Sequence, residues 1–527
     1  MRATEPQLWR FPGGLELDDH KAASTRKSVT TVTPPAVAVL PLQQHIGEPA
    51  RPLVAAGEHV LRGEMIARPQ GSISAAIHSP VSGTVRGIEA HPVPHPSGMS
   101  APCLVIESDG LDEPVEPMPA WPDFEERPPE AIRERARDAG IVGLGGAVFP
   151  TWVKLAAEGH GALHTLILNG AECEPYISCD DMLMRERADE VVAGARIMFH
   201  ALGVQRCLLA IEDNKPAAAR ALSRALDAAA DPRIELVGVP SRYPEGGERQ
   251  LIQVLTGREV PADGLPMDIG VVCQNVGTAA ALAAAVLRGE PMISRIVTVT
   301  GAGVAEPANV EARIGTPLSA LIEHCGGYVD PVERLIMGGP MMGIALTTDG
   351  MPVVKATNCV LAAGSGEVQA EKNPMPCIRC GDCARVCPAR LLPQQLYWHA
   401  RARDLEKAQD YQIFDCIECG CCDYVCPSHI PLVQYFRFAK TEIWGQDAER
   451  AKADLARRRF EARKARIERE KAERAERLKR KQEALQKAEQ KGDAARKAEI
   501  DAILERARRK KRGHSPDNNN APGGDKG

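Results

Sequence analysis

Two stretches of the chain repeat one spacing, C-x2-C-x2-C-x3-C-P: Cys377, Cys380, Cys383, Cys387 and Pro388, then Cys416, Cys419, Cys422, Cys426 and Pro427. That spacing limits what this part of the chain can fold around. Three thiolates in one short loop reach three corners of a [4Fe-4S] cube, and the fourth, fixed by its proline, points toward a neighbouring cluster. The fourth ligands are therefore expected to cross over. One cluster takes Cys377, Cys380, Cys383 and Cys426; the other takes Cys416, Cys419, Cys422 and Cys387. A single CxxC leaves zinc or a redox disulfide open, whereas two four-cysteine runs with matching prolines favour iron-sulfur ligation. Cys421 falls off the spacing and reads as a bystander. Gly381 and Gly420 follow the second cysteine of each run, where a missing side chain lets backbone N–H groups approach sulfide.

The remaining cysteines, Cys103, Cys173, Cys179, Cys207, Cys273, Cys325 and Cys359, have no ligand spacing and read as small buried hydrophobes. Thiolate ligands together with unpaired cysteines imply a reducing compartment. At 527 residues the chain has room for three or four domains. No secretory signal is legible at its start, and no run of apolar residues is long enough to span a bilayer.

The net charge of −5 conceals a division: residues 1–446 carry 39 Lys and Arg against 54 Asp and Glu, and residues 447–512 carry 25 against 14. A basic segment on an acidic body points to an anionic partner, either lipid headgroups or an acidic protein. Nucleic acid is not expected, because the basic segment lacks interleaved aromatics.

Along the chain the grammar changes several times. From Pro41 to Ser108, alternating apolar and polar positions broken by Gly57 and Gly63 predict strands, and residues 1–115 resemble a barrel-sandwich hybrid of the biotinyl/lipoyl type. Such carriers present a modifiable lysine on a hairpin, but no lysine lies between Ile66 and Val85, so scaffolding or docking is the expected role. A Pro- and acid-rich stretch, Leu111 to Pro129, reads as a linker. Residues 130–290 then alternate strands (163–168, 206–211, 234–239) with helices (182–201, 214–230), which predicts a largely parallel α/β sheet with its binding crevice at the strand C-termini. Residues 291–350 have the strand-helix pattern of a soluble ligand-binding β-grasp domain. Residues 365–440 hold the cysteine runs in a helical two-cluster ferredoxin-type domain. Residues 446–512, almost entirely Ala, Glu, Lys, Arg and Leu, predict a long solvated helix without a sustained coiled-coil seam. Residues 513–527 read as a disordered tail. The expected fold class is thus multidomain, α/β with α+β.

A second constellation precedes the cysteines. Gly143-Leu-Gly145-Gly146 leads into Phe149 and Lys154; Asn169, Glu172 and Glu174 follow the first predicted strand; Tyr243, Gly246 and Glu248 come later; Asn275 and Thr278 close the set. Clustered glycines let backbone amides close on a phosphate or a flat ring, and a lysine supplies a cation, although a tight structural turn explains such a loop equally well. Glu172 and Glu174 could likewise cap a helix starting near Asp180 or pair with arginines.

In this order the residues resemble the flavin- and NADH-binding motifs of the complex I flavoprotein subunit. With the hybrid domain, the β-grasp segment and the duplicated ferredoxin runs, about residues 1–440 resemble the C subunit of the Rnf family, membrane-bound ferredoxin:NAD oxidoreductases that move ions. The resemblance implies FMN against Gly143, Gly145 and Gly146, with Asn275 and Thr278 at its phosphate. It implies NAD(H) facing Phe149 and Lys154, with Asn169, Glu172 and Glu174 lining the pocket and Tyr243, Gly246 and Glu248 closing its far side. The chain departs from the complex I pattern at Leu144, Ala171 and Gly247, where the pattern has arginine, aspartate and glutamate. The implied function is an electron relay between nicotinamide, flavin and two [4Fe-4S] clusters, without acid–base catalytic residues. The implied place is the cytoplasmic side of the inner membrane, bound peripherally to other subunits that include an iron-sulfur subunit. Two alternatives stay open: a flavin subunit of a soluble NAD-linked hydrogenase or formate dehydrogenase, and a docking and electron-transfer subunit without a working nucleotide site.

Overall fold

The structure, a computed structural model, describes residues 7–156, 161–329, 331–367, 373–490 and 494–512. The expected disordered tail, 513–527, lies outside them. Residues 1–440 form one compact unit and residues 441–527 a second.

Near the N-terminus, two antiparallel sheets face each other. One orders Val37–Pro41, Ser100–Ser108, Gly83–Pro92 and His59–Val60; the other orders Arg51–Pro52, Met65–Arg68 and Ile77–His78. Alternation along these strands sends Leu40, Val60, Ile66, Ile77, Leu104 and Ile106 inward. This core continues into the next segment through Ile141, Val142 and Leu144. The hairpin on which a carrier would present its lysine is covered, since Trp152 Nε1 donates to Ser74 O at 3.0 Å and the Lys355 ammonium donates to Ala76 O at 2.7 Å.

Residues 7–31 do not join this sandwich. Phe11 packs with the central domain, Leu15 pairs with Tyr243, and Thr30–Thr31 add a parallel strand beside Ala308–Arg313. The expected linker is also laid into the body: Trp121 N bonds Val286 O, and Met118 N bonds Gly289 O. Arg135 stacks on the Trp121 ring at 3.7 Å. Polar composition alone does not reveal such a strap, because its backbone bonds and one aromatic supply the order.

Four parallel strands make the central sheet in the order Ile234–Val239, Arg206–Glu212, Thr165–Gly170, Val271–Asn275. The chain starts in the third position, builds outward in one direction, then returns to the other side. The order therefore reverses between Thr165–Gly170 and Val271–Asn275, where Asn169 and Asn275 stand in register. That reversal opens a crevice at the strand C-termini. The helical pattern expected over 182–201 divides into Cys179–Glu186 and Ala188–Leu202, broken at Arg187, whose guanidinium pairs with Glu311. Helix Ala188–Leu202 crosses Val276–Leu287 so closely that a Cβ on Gly194 would stand 2.0 Å from Ala279 O.

A six-stranded sheet follows, ordered Thr30–Thr31, Ala308–Arg313, Ser294–Thr300, Cys359–Ala363, Arg334–Met337, Ile344–Leu346, with helix Leu318–His324 against it. Cys359–Ala363, beyond residue 350, lies inside that sheet. Short helices then surround the cysteine runs. The last helix starts at Leu432 rather than near Gln446 and runs to Gln490, followed by Ala494–Arg512. Its first turns carry Val433, Phe436 and Ala439 into the body, so the apolar face begins before the Ala/Glu/Lys/Arg composition does.

Candidate functional site: two cysteine cages beside a switch-point crevice

The cysteine runs fold as two copies offset by 39 residues, and the backbone repeats with them. Arg379 and Glu418, at φ of 60° and 58°, occupy the same place in each loop, as do Gly381 and Gly420 and, after the prolines, Arg390 and His429. Left-handed residues at these points curl each loop so that three thiols face one centre. The fourth thiol comes from the other copy. Cys377, Cys380, Cys383 and Cys426 line one small cavity, and Cys387, Cys416, Cys419 and Cys422, with Cys421 beside them, line another. Met375 N bonds Ser428 O, and Ser428 Oγ bonds Pro376 O, which ties the copies together across the exchange.

The donor chemistry suits iron. Burial pushes the Cys416 thiol up to about 12 and also raises those of Cys383, Cys387 and Cys422. Thiols converging on one centre become thiolate ligands when a strong cation sits among them. Leu391 N–H donates to Cys387 Sγ at 3.3 Å, a bond of the kind that tunes cluster potential. Behind the second cage, the buried Lys440 ammonium donates to Cys416 O at 2.7 Å and to Glu418 at 2.8 Å, and Arg437 holds the other Glu418 oxygen. The first cage is nearer solvent, with Cys380 exposed.

Cys421, off the spacing, is fully buried and packs with Cys419, Tyr243, Cys173 and Met341. The sequence contained no signal for that contact. The Tyr243 hydroxyl donates to Cys419 O at 2.5 Å, so this residue reaches from the crevice side to the second cage. Backbone bonds Leu15 N to Tyr243 O and Gly14 N to Val386 O thread the N-terminal segment through the same junction.

At the crevice, the glycine loop lies against the start of helix Val276–Leu287. A Cβ on Gly145 would meet Asn275 at 3.4 Å, and Gly146, at φ +106°, faces open space. Asn275 Oδ1 caps the helix by accepting from Gly277 N and Thr278 N, and its amide donates to Asp180 at 2.6 Å. Thr278 Oγ1 accepts from Leu144 N. Gly143 bonds Phe149 O through its amide, which closes the loop. Lys154 donates to Glu248 at 2.6 Å and to Cys273 O at 3.2 Å. Asn169 donates to Gly246 O at 2.8 Å, and Gly246 sits where a Cβ would strike Ala171 O.

The two glutamates behave differently. Glu172 accepts from Asp180 N and Asp181 N and so caps helix Cys179–Glu186, the structural alternative for this residue. Glu174 turns to a neighbouring loop and accepts from Met341 N and Met342 N, and burial raises its pKa. Burial, reinforced by the Glu172 charge, pushes Asp180 up to about 7. Leu144, which replaces an arginine, is buried with the sandwich core and also lines the cavity bounded by Asp180, Gly277 and Arg295. The open Gly146, the capped helix N-terminus and the nearby Lys154 ammonium fit a phosphate-bearing ring system.

Comparison with known proteins agrees with this layout. Residues 136–284 match the family described as Nuo51 FMN-binding domain, 9–111 the RnfC barrel sandwich hybrid domain, 296–345 the SLBB domain and 376–430 the 4Fe-4S dicluster domain. The chain is 53% identical over 468 residues to the C subunit of the ion-translocating oxidoreductase complex of Pseudomonas aeruginosa, covering 89% of this chain and 60% of that protein. It is 44% identical over 504 residues to the protein of the same name from Pectobacterium atrosepticum, covering 96% of this chain and 71% of the relative. Among solved structures, an NAD+-reducing [NiFe]-hydrogenase aligns at a TM-score of 0.42 and 21% identity, over 58% of this chain and 61% of that one. The chain thus spans about 60% of the Pseudomonas relative's length.

Proposed function

The chain belongs to the family formed by the C subunits of ion-translocating oxidoreductase complexes, and on that premise we propose that it is the peripheral electron-transfer subunit of a membrane-bound ferredoxin:NAD oxidoreductase. In this reading it passes electrons between a nicotinamide/flavin crevice and two [4Fe-4S] clusters. It docks on the cytoplasmic face of the inner membrane, against other subunits that include an iron-sulfur protein. Its folded body comprises a barrel-sandwich hybrid, an α/β flavin domain, a β-grasp domain and a two-cluster ferredoxin domain.

One observation carries the proposal: Tyr243 stands between the crevice and the second cysteine cage, three residues from Gly246 and hydrogen-bonded to Cys419 O. That contact supports one order for the relay. The cage of Cys416, Cys419, Cys422 and Cys387 is proximal to the crevice, and the cage of Cys377, Cys380, Cys383 and Cys426, with its exposed Cys380, is the outlet. A flavin bound in the crevice supplies the conversion between hydride chemistry and single-electron transfer. The chain's own residues supply placement. Asn275 and Thr278 fix the glycine loop on the helix N-terminus, Lys154 offers a cation beside it, and buried Tyr243 with half-buried Cys173 and Met341 shields the junction from water. In this reading the ion path belongs to other subunits; among the described residues no helix is long and apolar enough to cross a membrane.

The deciding experiment is anaerobic reconstitution of the chain followed by titration with FMN and NADH. The proposal requires one equivalent of retained flavin and bleaching of the iron-sulfur absorbance when NADH is added. Neither retention nor bleaching would establish the docking reading, which draws support from the backbone contacts that occupy Glu172 and Glu174.

A further inference from the structure

The helix Leu432–Gln490 carries an ordered pattern beyond residue 455 that its composition hides. At about 100° per residue, Phe460, Ile467, Leu478 and Leu485 fall within about 20° of a single line along the helix. All four are exposed, at 68%, 39%, 63% and 45%. Five basic residues, Arg463, Lys464, Lys471, Arg474 and Lys481, flank this line within about 50° on either side, and no acidic residue between 456 and 485 shares that sector. The acids Glu461, Glu468, Glu473, Glu476 and Glu483 project about 90° or more away from it, and Glu470, which pairs with Arg466, about 70°.

Ion pairing separates the two sides again. Arg450 pairs with Asp447, Lys452 with Glu449, Arg457 with Asp454, Arg466 with Glu470 and Arg480 with Glu476. Among the described residues, none of the five basic side chains beside the apolar line has an ion-pair partner. A helix made only to be a solvated rod gains from pairing every charge by i,i+4 contacts; this one leaves five cations free on the face that carries its large apolar groups. The spacing argues against a partner helix. Apolar groups about 10, 17 and 10 Å apart are too sparse for a knobs-into-holes seam, which needs one every three or four residues.

We infer that this face lies on an anionic phospholipid surface, with Phe460, Ile467, Leu478 and Leu485 entering the headgroup region and the five cations pairing with phosphates. The arrangement is that of an interfacial helix: apolar side chains on one line, basic residues beside them and acids turned to water. The inference rests on the reading of the chain as a peripheral subunit at a membrane, and it identifies the element that touches lipid.

The test is co-sedimentation of the full chain, clusters loaded, with phosphatidylcholine vesicles containing or lacking phosphatidylglycerol. Binding is expected only with phosphatidylglycerol and should fall as salt rises. Changing Arg463, Lys464, Lys471, Arg474 and Lys481 to Gln should weaken it by about a hundred-fold or more. Five matched changes on other faces, Arg458→Gln, Arg459→Gln, Arg469→Gln, Arg480→Gln and Lys487→Gln, should weaken it by about ten-fold or less. The fluorescence of a Phe460→Trp variant should be quenched by brominated lipid. Circular dichroism checks that helix content is retained in each variant. Equal losses from the two Gln sets, fluorescence of the Phe460→Trp variant that brominated lipid leaves unchanged, or binding to native membranes that vanishes once their proteins are stripped by protease would each overturn the inference, the last by naming an acidic protein as the occupant. The iron-sulfur spectrum and flavin uptake are read on the same samples, so failure here leaves the electron relay standing, and failure of the relay leaves the vesicle result intact.

Discussion

Exchange of the fourth thiol between the two cysteine runs gives the sharpest prediction. Cys426 follows the second run in sequence yet lines the cavity of Cys377, Cys380 and Cys383, while Cys387 lines that of Cys416, Cys419 and Cys422. Replacing Cys426 with Ala removes one of four ligands from the exposed cage only. Iron should fall from about eight to about four per chain, because a cube held by three thiolates at a solvent-facing site is readily lost and its neighbour keeps all four. The surviving paramagnetic signal should come from the cage behind Lys440 and Glu418. Replacing Cys387 should leave the opposite signal. The cages differ in surroundings, since a buried ammonium bonds Cys416 O in one and the other is open at Cys380, so the two survivors should differ in reduction potential. Anaerobic iron and sulfide analysis with a redox-poised EPR titration of both variants reads the outcome. If Cys426→Ala spared the signal assigned to Cys377, Cys380 and Cys383 and abolished the other, each run would ligate its own cluster and the exchange would be refuted, while the relay order drawn through the Tyr243–Cys419 contact would be untouched. Zinc in native anaerobic material would remove the iron assignment altogether.

Three further outcomes follow from the packing. Gly194→Ala should lower the melting temperature and the yield of folded chain, since its Cβ would stand 2.0 Å from Ala279 O and must separate two helices, a cost of about 1–3 kcal/mol or more; an unchanged melting curve would show that the helices part freely. Asn275→Ala removes the cap on the helix that supports the glycine loop and should cost about 1 kcal/mol, with flavin retention weakened about ten-fold; equilibrium dialysis against FMN tests it, and undiminished retention would count against the crevice. Lys355 is fully buried, and burial alone lowers its pKa from 10.5 to about 7. A depressed lysine favours the fold most where it is neutral, above about pH 10.5, and that contribution is lost as pH falls through about 7. Relative to Lys355→Met, wild-type stability should therefore rise by about 4 kcal/mol between pH 7 and pH 10. Parallel urea midpoints for the two proteins across that range would contradict it.

Several features were legible because they are local. The turns Gly381 and Gly420, the strand Ile234–Val239, the strand beginning near Arg206 and the helix that opens at Leu318 depend on residues a few positions apart, and their patterns survive folding. The helix expected over 182–201 failed as one element because Arg187 answers to Glu311 from a distant strand. The linker expected over 111–129 connects the two segments as an ordered strap, held by bonds to Val286 and Gly289 that its composition does not reveal. Glu172 was open between a ligand contact and a helix cap, and backbone geometry chose the cap.

The amino-acid order by itself determined that two four-thiol loops exist and that a glycine loop, an α/β segment and a charged helix accompany them, since cysteine spacing, glycine placement and composition act within a few turns of chain. The reversal of strand order beside Asn169 and Asn275, the contact of Tyr243 with the second cage and the burial of Leu144 with the sandwich core come from folding alone. Those facts depend on which distant segments become neighbours. That choice is made by burying a common apolar core across domains, and no spacing within a single segment encodes it.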